Sequence, residues 1–414
     1  MAASESAVAV RRYDWSPGAP PVDIDLGLSR DGGVYRRALV LVERDGVPWG
    51  VVDVPVQDGV VQGHLVESMA AAKINAGLWP SADSLVVDAP AIRLRAVIPT
   101  CNDATRVVRA VASVLRAPDP ALEVVVVENR PRGSTVEGVL AEAFPDESRL
   151  GYREEPRPGI SRARNCGAEG ATEGLIGFFD DDSVAHPHWA TAMRAVASGD
   201  SERPVGIMTG RILPLSLENH AQLLFQRFTG FGANDLGGIY RLDRPPEDSW
   251  LFPYAPGTFG SGASLCLPAP AFSALGGFDH RLGTGSPARG GEDLDMLVRV
   301  LYLGYSVRYV PQAVVWHEHP DSLGGLPRKA FAYGVGLSAM MFKHAVAGPD
   351  RAGFARRIPA GLFRLVDLHS SKSSPGPDGF SWRLTTMEAM ELLGVLAGPV
   401  GYVRSTRRGR DGRR

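Results

Sequence analysis

From residue 91 onward, short unbroken apolar runs alternate with stretches that are apolar on one helical face only. The segment 92–100 (IRLRAVIPT) reads as a strand, and 103–117 places Val107, Val111, Val114 and Leu115 on one face of a helix. The run LEVVVVE over 122–128 is apolar nearly throughout, the pattern of a strand covered on both sides. A helix over 134–144, a strand over 149–156, a helix over 160–174 and the strand LIGFF over 175–179 continue the alternation. Strand–helix–strand repetition at this spacing predicts an α/β fold, a mostly parallel sheet with helices on both faces. Such sheets bind ligands at the carboxyl ends of their strands.

The termini break this rhythm. Two β-branched-rich runs over 36–56 flank Asp45-Gly46, a hairpin signal, and 66–78 reads as a helix. Segment 80–90 reads as a linker. The expected organisation is a small N-terminal α+β domain over 1–90, a larger α/β domain over 91–345, and a helical extension with a basic tail over 346–414.

Composition narrows the function classes. The formal net charge of -2 over 414 residues argues against a nucleic-acid binder working through bulk charge. Cys101, Cys166 and Cys266 lie far apart without metal-ligand spacing, which fits a reducing cytoplasm. No cationic segment followed by an apolar run opens the chain, and no stretch reaches the roughly 20 apolar residues of a membrane span. A cytoplasmic location is expected. Near the end, an apolar run containing Glu388, Glu391 and Pro399 leads into Arg404, Arg407, Arg408, Arg410, Arg413 and Arg414. Pro399 is expected to break a helix there. Two readings of this end stay open. It is a helix packed on the large domain with a disordered basic tail, or a peripheral contact with the inner, anionic membrane surface.

The chemistry concentrates where LIGFF runs into Asp180, Asp181 and Asp182. Adjacent carboxylates repel, and a divalent cation such as Mn²⁺ or Mg²⁺ shares one or two carboxylates with substrate phosphates. General acid–base work or a helix-capping turn would also use aspartates there. Further on, Glu292 and Asp293 follow a glycine-rich loop and precede a helix with Leu294, Leu297, Val298 and Leu301 on its apolar stripe. His317 and His319 end another apolar run. His186, His188 and Trp189 follow the aspartates and read as loop and core residues.

The segments VIPTCN, VVVVEN, GISRARNCGAEGATEGLIGFFDDD, GTFGSGAS, LGGFD and GGEDLDMLVRVLYLGY occur in the order found in family 2 glycosyltransferases. The chain resembles that family over about residues 93 to 340, and its terminal segments resemble those of actinobacterial members. The resemblance implies the GT-A fold and inverting transfer from a nucleotide-diphospho-sugar donor to a hydroxyl-bearing glycan, lipid or small-molecule acceptor. It implies that Pro99, Thr100 and Asn102 cradle base and ribose, where Cys101 replaces a common aromatic residue. Glu128 stands at an aspartate position that binds base or ribose, and Arg162, Arg164 and Asn165 fall near the diphosphate. Asp180 and Asp182 match the D-x-D, with Asp182 on the metal and Asp180 and Asp181 toward ribose or metal-bound water. His317 matches a histidine that some members add to the metal. Asp293 takes the place of the catalytic base, with Glu292 as the alternative base or an orienting residue. The segment 228–250 reads as an acceptor-side loop. A metal-dependent nucleotidyl or phosphoryl transferase, or a catalytically silent nucleotide-binding scaffold, would share the aspartates, but neither accounts for an intact Gly-Gly-Glu-Asp block.

Overall fold

A computed structural model describes residues 7–16, 18–101, 103–117, 119–131, 135–199, 202–231, 237–247, 249–357 and 381–411. The hairpin around Asp45-Gly46 forms as β3 (Arg37–Arg44) and β4 (Val47–Pro55), antiparallel. A strand that no local turn announces, β1 (Val8–Asp14), joins β3 in parallel register. A two-residue strand β2 (Ile24–Asp25) pairs with β5 (Val60–Val61), and helix α1 (Gly63–Asn75) packs beside β4. Val40, Val42, Val52, Val54, Trp49 and Trp79 build a core within these elements. A side chain sunk this deep stabilises the fold by about 1.5–3 kcal/mol relative to exposure.

The central sheet has nine strands in the order β10-β14-β11-β13-β9-β6-β7-β8, with β12 paired to β14. In chain order it is built from β6 (Leu94–Thr100), α2 (Ala104–Leu115), β7 (Leu122–Asn129), α3 (Thr135–Ala143), β8 (Leu150–Glu155), α4 (Ile160–Ala168) and β9 (Leu175–Phe179). Then come β10 (Ser183–Ala185), α5 (Trp189–Ser198), β11 (Val205–Pro214), α6 (His220–Thr229) and β12 (Gly238–Tyr240). After β13 (Ser264–Pro268) and α7 (Ala269–Leu275), helix α8 (Glu292–Tyr302) leads into β14 (Ser306–His317). Strands β6, β7, β8, β9, β11 and β14 run one way, while β10, β12 and β13 are reversed. The sheet is therefore mostly parallel, and the carboxyl ends of β6, β7, β9 and β14 share one edge. On one face Leu94, Ile98, Val107, Val111, Val124 and Trp189 pack together; on the other, Val97, Val125, Phe178, Phe259 and Leu297. Trp189 is core, as read from sequence, and its indole N–H donates to Ser264 Oγ at 3.0 Å.

Two expectations are corrected. Helix α4 stops at Ala168 rather than 174, because Gly170 adopts φ 81°, outside the helical region. His186 and His188 lie in the loop between β10 and α5, as read from sequence, and both are buried there: the N-terminal sheet docks on them, and His186 Nε2 lies 3.1 Å from Arg12 Nη2 and 3.3 Å from Glu43 Oε1. Burial, with His186 beside it, pushes His188 down to about 4, so it stays neutral. Finally, α9 (Leu326–Ala347) is followed by α10 (Ser381–Asp411), a helix that runs on through Pro399. Close packing of α10 along α9 outweighs the hydrogen bond that proline forfeits. Among the described residues, no helix is long and apolar enough to cross a membrane.

Candidate functional site

The sheet's topology assembles the site. Strand β9 delivers Asp180–Asp182 at its carboxyl end, and β10 then pairs with the end of β14 so that Ser183 lies opposite His317. A backbone bond from Glu318 N–H to the Asp182 carbonyl, 2.9 Å, fastens the two segments. One oxygen each of Asp180 and Asp182 and a ring nitrogen of His317 consequently lie within 4.8 Å of one another. Asp182 Oδ1 is buried without a hydrogen-bond partner, and His317 Nε2 stands 3.4 Å from it. Two carboxylates and an imidazole are a donor set that suits Mn²⁺ or Mg²⁺, and an orphaned buried carboxylate oxygen is what such a cation would satisfy. The residues fit a divalent cation.

The electrostatics agree. Burial pushes the Asp182 carboxyl up against the opposing pull of His317. Asp181 is pushed up to about 7 by burial, with Thr100 opposing and Asp182 and Asp180 adding repulsion. Thr100 Oγ1 donates to Asp181 Oδ2 at 2.6 Å, so this threonine holds an aspartate. Behind His317, His319 Nδ1 lies 3.4 Å from His317 Nδ1, and His319 Nε2 lies 2.7 Å from Gln226 Oε1. Burial, His317 and Lys329 push His319 down to about 3, so this outer partner is neutral.

On the other side stands the Gly-Gly-Glu-Asp block. Asp293 Oδ2 accepts from the Gly262 N–H at 2.7 Å. A Cβ at position 262 would meet the Asp293 side chain at 3.0 Å, so the glycine allows this approach. Glu292 is 6% exposed and is pushed up to about 7 by burial and by Asp293. Arg164 joins the two halves. Its Nη2 donates to Asp180 at 2.8 Å, its Nη1 donates to Glu292 at 2.9 Å, and its guanidinium lies over the Phe278 ring at 5.3 Å.

The other sequence-marked residues divide. Arg164 is 2% exposed, with Nη2 and Nη1 held by the Asp180 and Glu292 carboxylates and Nε without a hydrogen-bond partner, so it stands as a strut between the two acids. Asn165 binds the Phe278 backbone through both side-chain atoms. It lines, with Arg162, Arg157, Cys166 and His280, a cleft of about 350 Å³ whose lining includes none of the three aspartates. Helical geometry explains the split, since residues 162, 164 and 165 cannot all face one way. Glu128 is fully buried and accepts from Tyr152 Oη at 2.5 Å, leaving Oε1 without a partner. Pro99 is buried within β6, and Asn102 lies outside the described residues. Of the segment 228–250, Phe231 packs 6.0 Å from His317, while 238–240 pairs with the opposite end of β14. Sequence reading missed Lys329 and Tyr333 of α9. Lys329 acts on Asp182 and His319, and the phenol of Tyr333 is raised by burial and by Asp182, Asp180 and Asp293. Their four-residue spacing, which puts both on one helix face, was the available signal.

Comparison with known proteins now decides the family. The Glycosyl transferase family 2 profile matches residues 96–213, and the Glycosyl transferase family group 2 profile matches 175–396, more than half of the chain. The chain belongs to the family 2 glycosyltransferases. Pre-mycofactocin glycosyltransferases of two Mycobacterium tuberculosis strains are each 25% identical over 281 residues, covering 66% of this chain and 54% of theirs. The chain thus spans about half the length of the curated relatives it matches. A mannosyltransferase from Pyrobaculum calidifontis, solved with GDP-mannose and Mn²⁺, is 17% identical with a TM-score of 0.48, covering 81% of this chain and 98% of that one.

In this chain, Arg164→Lys should test the strut. Lysine keeps the charge but lacks the fork that reaches two carboxylates, and each lost charge-assisted bond costs about 1.5–3 kcal/mol. A lower melting temperature is expected; one equal to the parent's would remove the strut.

Proposed function

We propose that the chain transfers a sugar from a nucleotide diphosphate donor to a hydroxyl acceptor by a single inverting displacement. One observation carries the reading: the Asp180–Asp182–His317 cluster and Asp293 are held at the two ends of one arginine-centred assembly. Asp180, Asp182 and His317 would hold a divalent cation, Mn²⁺ or Mg²⁺, and when bound it would offset the charge of the donor diphosphate. Asp293 would take the proton of the attacking hydroxyl. It is the less buried of the two acids, whereas Glu292 is enclosed against Arg164 and serves to orient it. Phe231, Lys329 and Tyr333 would line the acceptor approach. Glu128, behind Tyr152, would support the base-binding wall. On this reading residues 91–345 form the catalytic domain, with 1–90 and 346–414 as appendages.

A panel of nucleoside diphosphates in a thermal-shift assay tests the donor half. Ligands that bind only the native state raise its stability by about 2.7 kcal/mol at one hundred times Kd. One base should raise the melting temperature, and only with Mn²⁺ or Mg²⁺ present. A panel in which no diphosphate does so would contradict the proposal.

A further inference from the structure

Helix α10 turns one face onto the molecule and leaves the other bare. On the inner side its backbone nearly touches α9: a Cβ on Gly394 would fall 2.1 Å from the Phe331 carbonyl oxygen, and one on Gly398 1.9 Å from Ser338 Oγ. Met387 and Tyr402 are buried on that side. The outward side carries Leu392, Leu393, Leu396, Val400 and Val403, exposed by 36%, 53%, 76%, 52% and 39%. Spacings of three and four put these residues on one apolar stripe. Soluble surfaces seldom leave such a contiguous patch without a partner.

The charge at the end of the stripe identifies the partner. Arg404 and Arg407 are exposed or half-exposed, and residues 404–414 hold six arginines against one aspartate in a chain of net charge -2. An apolar stripe running into concentrated positive charge matches the boundary between acyl chains and anionic headgroups. A second copy of this helix would cover the leucines but offer the arginines no counter-charge. The geometry points to α10 as an interfacial helix that lies on an anionic lipid surface, its stripe in the headgroup–acyl boundary and its arginines on lipid phosphates.

This placement deepens the functional reading. Met387 of α10 shares a cluster with Phe225 and Phe228 of α6 and with Leu326 and Ala330 of α9. The same two helices supply Gln226, Lys329 and Tyr333 to the site. A membrane against α10 would therefore flank the acceptor approach and favour a lipid-borne hydroxyl. That last step rests on the proposed transfer; membrane binding itself does not.

Sedimentation of the full chain with vesicles tests it. The vesicles are phosphatidylcholine alone, or phosphatidylcholine mixed equally with phosphatidylglycerol. The parent should bind the anionic vesicles, less so as salt rises, and bind the neutral ones weakly. Leu396→Glu/Val400→Glu and Arg404→Glu/Arg407→Glu alter positions on the solvent side of α10, so folding and metal-dependent nucleotide binding should stay parental. Each pair should lower vesicle affinity by at least about tenfold. No parental binding to anionic vesicles, or binding unchanged in both pairs, would overturn the proposal. So would a parental dimer, seen by light scattering, that Leu396→Glu/Val400→Glu converts to monomer with vesicle binding unchanged. Because nucleotide binding is read without lipid, this proposal and the donor reading fail separately.

Discussion

Asp182→Asn should abolish metal-dependent nucleotide binding and leave the fold intact. Asparagine keeps the shape of the side chain but not the charge that attracts a hard cation. In the folded chain Asp182 Oδ1 is buried without a hydrogen bond, and burial disfavours its ionised form. Without a bound cation the charge therefore costs stability, and removing it should not lower the melting temperature of the free protein. Even outer partners of a metal site are worth about 10–100-fold in affinity, so loss of a direct donor should exceed that. Calorimetric titration of nucleotide with and without Mn²⁺ makes the comparison. Equal affinity in parent and mutant would remove Asp182 from the metal.

Asp293→Asn should lose about 10²–10⁴-fold in turnover, the usual worth of a general base. Its donor affinity should match the parent's. Asp293 now accepts the Gly262 N–H at Oδ2 and the Leu294 N–H at Oδ1; the single amide oxygen of asparagine can keep the Gly262 bond that ties the loop and gives up the one to its own neighbour. Glu292→Gln would act differently, since it strips Arg164 of one of its two carboxylates and should chiefly lower stability. Steady-state rates at saturating donor separate the two. A near-parental rate for Asp293→Asn would move the base elsewhere.

The fold's middle could be read because its local signals agree with its tertiary environment. The apolar run of β7 is buried on both faces, and the stripe of α2 meets the sheet with Val107 and Val111 fully buried. The aspartates, the Gly-Gly-Glu-Asp block and His317 were marked for a related reason, each lying where an apolar element begins or ends. Directions and long-range partners were not legible. Nothing local in SLCLP shows that β13 enters the sheet reversed between β9 and β11. Arg164 looks like an open cation until the fold brings Asp180 and Glu292 to it across 16 and 128 residues. His186 is a loop histidine as read, but nothing local shows that a strand 174 residues earlier, carrying Arg12, docks on it. In α10, Pro399 argued for a break, yet packing against α9 carries the helix through.

The central claim is sugar transfer with a nucleoside diphosphate as the leaving group. It is tested most directly by identifying the nucleotide that a panel of nucleotide sugars yields with this chain and Mn²⁺. The expected product is a nucleoside diphosphate, formed by the parent, sharply reduced with Asp293→Asn and absent with Asp182→Asn. A nucleoside monophosphate with a sugar phosphate, or diphosphate released equally by Asp182→Asn, would contradict it.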